Sequence, residues 1–297
     1  MMLDNKGVTV ITRAHGDGLF LNDTILSVSN QKHLGQFIVV LDKPSDKLLK
    51  ICENYKSNPV IQFIELDRSN LSRAMNIGIS NATYDFIAVI DSDDIMLADK
   101  LSIQLEFLSK NLNFPVVGTN FYEVNKVGKK IRYVEMPQIT KINDIDRRTP
   151  CPIAHSTVMF RKDLILEIGG YSEKYEWVED IELWLRVNKR FELYNIQIPL
   201  TNYRIHDAQS TSANFHKISK TLVAAKIENG VIYRKQTDLI SSLKSIEVFY
   251  QTKNMNLILK YYIYLEITAL KLNSYRKQNK WVRFYVINVL RKILSFF

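Results

Sequence analysis

Four short apolar runs, at residues 8–12, 37–41, 60–66 and 86–90, recur along the first third of the chain, and each is followed by a helical pattern. Runs that are apolar at nearly every position, instead of at alternate ones, are strands covered on both faces. The intervals between them are long enough for a helix and too long for a hairpin, so the runs form βαβ crossovers in a parallel sheet. In open sheets of this kind ligands gather at the carboxyl ends of the strands. The residues at those four ends are Arg13 and His15, then Asp42, then Asp67 and Arg68, then Asp91-Ser-Asp-Asp94. An α/β fold with a charged edge is therefore expected.

The fourth end is the most concentrated, with three carboxylates (Asp91, Asp93 and Asp94) in four residues. Like charges this close are costly unless something positive sits among them. A hard divalent cation, Mg2+ or Mn2+, takes oxygen ligands and bridges protein carboxylates to a substrate's phosphates. The alternative is an acidic turn that caps the next helix through Asp94 or Asp99. Further on, a helix at residues 100–110 precedes a hairpin of two strands, 116–124 and 130–134, which makes the sheet mixed. Residues 137–152 read as a surface loop, 156–160 as a strand, Gly169-Gly170 as a turn, 180–188 as a helix and 191–203 as a strand. From about residue 215 the pattern is helical to the end. Glu179, Asp180 and Glu182 occupy the first turn of the 180–188 helix, where the helix dipole alone would favour them.

These segments fall in an order that resembles a family 2 nucleotide-sugar glycosyltransferase of the GT-A fold. The matching stretches are Ile38-Val-Val-Leu-Asp42, Asn70-Leu-Ser-Arg-Ala-Met-Asn-Ile-Gly-Ile79, Ala88-Val-Ile-Asp-Ser-Asp-Asp94 and His155-Ser-Thr-Val-Met-Phe-Arg161, followed by Gly169-Gly-Tyr171, Glu179-Asp180 and Tyr203-Arg-Ile-His206. The resemblance implies a Rossmann-like mixed sheet flanked by helices over residues 1–212, with a helical extension over 213–297. It implies a metal-dependent, inverting, non-processive hexosyl or N-acetylhexosaminyl transferase. The donor would be a nucleotide sugar, a UDP-sugar above all, and the acceptor a lipid-linked or lipopolysaccharide or capsule saccharide.

Carried over residue by residue, the resemblance places Thr12, Asp42, Arg73, Asp91 and Asp93 on the donor nucleotide. It places Asp91, Asp93 and His206 on Mn2+ or Mg2+, makes Asp180 the general base, and sets His155, Trp177 and Glu179 beside the acceptor. Arg68 is an alternative to Arg73. The physical logic agrees with this. A diphosphate leaving group needs its developing charge stabilised, and a neutral hydroxyl nucleophile needs a base on the opposite face. The chain departs from the family pattern in two places. Leu41-Asp42-Lys43-Pro44-Ser45 carries one acid where relatives carry an acidic pair and Gly-Ser, and Ile11-Thr-Arg-Ala-His15 replaces Pro-Thr-Tyr-Asn. The Gln-x-x-Arg-Trp of processive members is absent, so one sugar per acceptor is expected. The competing classes are a sugar-phosphate nucleotidyltransferase, which has no need of Glu179-Asp180 or His206, and a non-catalytic membrane-bound partner of another transferase.

The charge is unevenly divided. Of the net +9, residues 211–297 hold 15 Lys/Arg against 4 Asp/Glu, leaving 25 against 27 in the rest of the chain. Within residues 275–297, Arg276, Lys277, Lys280, Arg283, Arg291 and Lys292 share one half of a helical wheel. Val282, Tyr285, Val286, Val289, Leu290, Ile293, Phe296 and Phe297 occupy the other half. That is the pattern of a helix lying on an anionic membrane surface, the alternative being a face packed on the catalytic domain or in a homo-oligomer. No nucleic-acid motif accompanies the charge. Two cysteines, Cys52 and Cys151, are too few for a disulfide framework. With no apolar leader at residues 1–7 and no run long enough to span a bilayer, the expectation is a cytoplasmic protein peripheral on the inner face of the cell membrane.

Overall fold

The computed structural model describes residues 7–141 and 151–207, together with residues 221, 222, 225 and 229. The expected interfacial helix at 275–297, and most of the helical extension that carries it, lie outside the described residues.

The four apolar runs form β1 (Val8–Gly16), β2 (Leu34–Pro44), β3 (Ile61–Glu65) and β4 (Phe86–Val89), separated by α1 (Leu21–Ser29), α2 (Asp46–Glu53) and α3 (Leu71–Asn81). β1 pairs in parallel with both β2 and β4, and β2 with β3. After β4 come β5 (Ile95–Met96), α4 (Lys100–Lys110), β6 (Val116–Val124), β7 (Lys130–Val134) and β8 (Ile139–Thr140). The remaining elements are β9 (Met159–Arg161), α5 (Lys162–Glu167), α6 (Glu179–Asn188) and β10 (Leu193–Arg204). They join one ten-stranded sheet in the order β3-β2-β1-β4-β9-β6-β10-β5, with β7 against β6 and β8 against β10.

Strand direction decides what meets at the edge. β9 is antiparallel to β4 and to β6, so β6 runs the same way as β4, and β10 is parallel to β6. The carboxyl ends of β1, β2, β3, β4, β6 and β10 therefore share one edge, and β9 begins there. Both faces of the sheet are covered. Ile11, Ile38, Val40, Ile87 and Val89 pack under α3, α5 and α6, while Val10, Val39, Leu41, Ala88 and Ile90 pack under α1, α2 and α4. Each of these strand residues is at most 4% exposed, which is why the strands read as unbroken apolar runs.

Three expectations need correction. The 156–160 strand is interrupted, because His155–Thr157 form a 3-10 turn before β9. Thr157 Oγ1 donates to the Ala154 carbonyl at 2.7 Å, a local bond that competes with ladder pairing. β2 runs past the expected end at residue 41 to Pro44, and the cap of α2 is Ser45, whose Oγ accepts from Leu48 N–H. Neither acid caps α4: Asp99 holds the N-cap position without a side-chain bond, and Asp94 is wholly buried elsewhere. Among the described residues no helix is long and apolar enough to cross a membrane.

Candidate active site

The edge holds three acidic groups: Asp42 at the end of β2, the Asp91–Asp94 turn after β4 and the Glu179-Asp180 pair of α6. At the end of β2, Asp42 is 1% exposed and its Oδ2 accepts from Arg13 Nε and Nη2 at 2.9 and 2.7 Å and from Ser69 Oγ at 2.9 Å. Its Oδ1 is buried with no protein partner, as is Thr12 Oγ1 on the neighbouring strand. An acceptor left unpaired at such depth is costly unless a ligand completes it. Arg73, by contrast, is spent on Asp67, with Nε and Nη2 2.9–3.1 Å from its carboxylate, and Arg68 pairs with Glu173 at 2.7 Å.

Beyond β4 the three aspartates diverge. Asp91 N–H donates to Ser156 Oγ, and its Oδ1 lies 3.3 Å from His155 Nδ1. Asp93 Oδ2 is 2.8 Å from His206 Nε2. Asp94 turns inward, its Oδ1 accepting the Arg204 N–H at 2.7 Å. Burial, then the neighbouring Asp93 and Asp91 charges, pushes the Asp94 carboxyl well above the ordinary carboxylate range. Among the described residues no three His, Cys, Asp or Glu side chains converge as a ready-made metal cage. Mg2+ and Mn2+ sites of substrate-bridging type need only one or two carboxylates, with phosphate oxygens and water completing the shell. The carboxylate oxygens of Asp93 suit those ions, and the His206 imidazole favours Mn2+, a first-row transition metal, over Mg2+.

The third group begins α6. Glu179 is 9% exposed and its Oε2 has no protein partner. Burial, followed by the adjacent Asp180, raises Glu179 to about 7, with His155 and Arg13 pulling the other way. Burial also raises Asp180, against the opposing field of His155, and its Oδ1 accepts Ile181 N–H at 2.7 Å. His155 links the groups: Nδ1 faces Asp91 and Nε2 lies 3.0 Å from the Tyr171 hydroxyl. Burial disfavours its charged form, but the Asp91 hydrogen bond and charge, with Asp180 and Glu179 beyond, outweigh this and hold His155 up to about 9. Burial and the same three acids keep the Tyr171 hydroxyl protonated. Asn76 of α3 fixes Tyr171 by bonding its N–H and its carbonyl, each at 2.8 Å. Trp177, two residues before Glu179, has φ 75°, a conformation that a bulky residue adopts only under constraint.

The structure thus brings Asp91, His155, Glu179 and Asp180 into one electrostatic cluster, joins Asp93 to His206, and sets Asp42 beside Thr12's strand. It commits Arg73 to Asp67. Sequence reasoning missed Arg13 and Arg204. Arg13 was visible only as a charge ending an apolar strand, and Arg204 as the unassigned member of Tyr203-Arg-Ile-His206.

A ten-stranded mixed sheet flanked by helices, with this edge, is the GT-A glycosyltransferase fold. Staphylococcus aureus TarS (residues 1–349, in complex with UDP-GlcNAc) superposes with a TM-score of 0.65 at 14% identity, covering 88% of this chain and 79% of that one. A mannosyltransferase from Pyrobaculum calidifontis, in complex with GDP-Man and Mn2+, gives a TM-score of 0.59 at 11% identity over 97% of this chain and 79% of its own. In sequence, residues 9–169 match the model of glycosyl transferase family 2. The Escherichia coli O-antigen biosynthesis glycosyltransferase WbnJ is 31% identical over 208 residues, 67% of this chain and 80% of WbnJ. An uncharacterized Rickettsia conorii glycosyltransferase is 27% identical over 99% of this chain, which spans 46% of that longer protein. The chain belongs to glycosyl transferase family 2.

Proposed function

We propose that this glycosyltransferase moves one sugar from a UDP-sugar to a saccharide hydroxyl with inversion, on an acceptor of the O-antigen or exopolysaccharide type. The observation that carries the reading is the convergence, on a single sheet edge, of the Asp91–Asp93 loop and the Glu179-Asp180 pair about His155. Asp42 Oδ1, an unpaired buried acceptor, suits the imide N–H of uracil, and Arg13 orients that carboxylate by bonding its other oxygen. Asp93 and His206, with Asp91, would hold Mg2+ or Mn2+, which when bound neutralises charge developing on the departing diphosphate. Asp180 takes the proton of the attacking hydroxyl. Its raised proton affinity makes it a stronger base than an exposed aspartate, and the neighbouring His155 opposes the burial that raises it. With one base and no positioned protein nucleophile among the described residues, a single displacement inverts the anomeric centre. WbnJ's part in O-antigen biosynthesis and the nucleotide sugars bound by the two structural neighbours support the donor and acceptor classes.

The test is nucleotide release and transfer over a panel of UDP- and GDP-sugars, with and without Mn2+, for the native chain and Asp180→Asn. Native enzyme should release UDP in a Mn2+-dependent manner. Asp180→Asn should retain donor binding and lose transfer about 100-fold or more, the scale of a general base. Undiminished turnover in Asp180→Asn would remove that residue as the base.

A further inference from the structure

Arg204 ends β10 and is 2% exposed, among the largest buried side chains of the protein. Its Nε donates to the Asp93 carbonyl at 2.8 Å, its Nη1 to the Lys126 carbonyl at 2.5 Å and its Nη2 to Asp23 Oδ2 at 3.0 Å. The guanidinium carbon lies 4.3 Å from the centre of the Phe20 ring. Phe20 in turn meets the imidazole of His206, with ring centres 5.0 Å apart at 53°. His206 returns to Asp93 through its 2.8 Å contact with Oδ2. Arg204, Asp93, His206 and Phe20 therefore close a ring in which each member is held by two others.

Stability alone does not explain a buried guanidinium here, because apolar residues of like volume often serve a core as well or better. An apolar side chain cannot hold the main-chain carbonyl of Asp93, which sets the direction in which that carboxylate leaves the chain. It cannot clamp Phe20 against His206 either. The ring is assembled from three distant parts of the sequence: the turn before α1, the loop after β4 and the end of β10. None of the three carries the Asp93–His206 pair alone.

We infer that Arg204 and Phe20 are positioning residues that hold Asp93 and His206 as a preorganised pair for a divalent cation. The inference rests on the metal reading above. Groups that orient metal ligands without touching the metal affect affinity nearly as strongly as the ligands themselves.

The experiment is Mn2+ binding to the free protein, without donor, read from the EPR signal of unbound Mn2+. It is run on the native chain, Asp93→Asn, Arg204→Lys, Phe20→Leu and Arg186→Lys, with a thermal melt of each. Phe20 is partly exposed, so its leucine variant keeps the test alive where a buried lysine unfolds the protein. Arg186 also clamps main-chain carbonyls, those of Ile168 and Gly170, but makes no contact with the ring, and it controls for general loosening. Phe20→Leu and Arg204→Lys should weaken Mn2+ binding about 10-fold or more while Arg186→Lys leaves it native. At saturating Mn2+ the two ring variants should recover most of their kcat. Folded Phe20→Leu and Arg204→Lys with native Mn2+ affinity, beside a weakened Asp93→Asn, overturn the positioning role alone. Native affinity in Asp93→Asn overturns the metal reading and the inference with it.

Discussion

Asp42 was legible as an acid at a strand end, but its surroundings were not, because Arg13 and Ser69 reach it from other elements. Both partners occupy Oδ2 and leave Oδ1 buried without a protein partner. The same dependence on partners explains why Asp91, Asp93 and Asp94, alike in sequence, part ways in the structure to His155, His206 and the Arg204 N–H. Lys100 is a buried ion with no such partner. It is fully enclosed, its Nζ donates only to Gln104 Oε1 at 2.9 Å, and burial lowers it to about 7 from 10.5. Between those values the unfolded chain binds the proton and the folded one releases it, so this site adds stability as pH rises from about 7 towards 10.5 and withdraws it as pH falls. Urea unfolding of the native chain and Lys100→Met should therefore differ in slope across pH 7 to 9.5, the native chain gaining by at most about 1.4 kcal/mol per pH unit relative to the variant. The Gln104 partner lost in the variant costs about 1 kcal/mol at every pH and leaves the slope untouched. Parallel curves would show that Lys100 stays charged in the fold.

Helix α3 links packing to the site through one glycine. A Cβ on Gly78 would stand 2.6 Å from Ile11 Cγ2 and 3.1 Å from its Cδ1, so the helix lies on β1 only because that atom is missing. Ile11 is β-branched, stiff and buried, and does not yield cheaply. Alanine ordinarily stabilises a helix by about 1 kcal/mol over glycine, whereas Gly78→Ala should destabilise by about 1–3 kcal/mol, because overpacking wins. Since Asn76 anchors Tyr171 and through it His155, transfer should fall with stability. The double variant with Ile11→Ala should cost less than the sum of its parts in a denaturant-based cycle, and strict additivity would place the contact elsewhere. How far such elements could be read in advance follows from their size and burial. β1 to β4 and the β6–β7 hairpin were plain because period and turn residues mark them over several positions. β5 and β8, two residues each, and the six-residue α5 carry no period at all. The break before β9 escaped because Ser156 and Thr157 look like strand residues until Asp91 and Ala154 take up their hydroxyls.

The catalytic edge exists because six strands end on it, so the acids that sequence separates by nearly ninety positions, Asp91 and Asp180, act on the same imidazole. α6, which carries Asp180, lies on the outer layer, and what covers it extends beyond the segment matched to the family model. Leu222 and Ala225 are wholly buried in the same core cluster as Ile181, Trp184, Leu185 and Val187. Asn229 Nδ2 donates to Glu182 Oε1 at 3.3 Å and its Oδ1 accepts from Lys189 Nζ at 2.8 Å, fastening that cover to both ends of the helix. The start of the basic C-terminal region is thus part of the wall behind Asp180. Leu222→Ala should cost about 2–5 kcal/mol, as a buried leucine truncated in a packed core does. A chain ending at residue 212 should lose more, since it removes the whole cover. Because α6 carries Asp180, the proposed base, and not the Asp91–Asp93 loop, both changes should depress transfer more than Mn2+ binding. Equal loss of the two would mean that the sheet and α6 unfold together, and native transfer by the chain ending at 212 would show that α6 needs no cover.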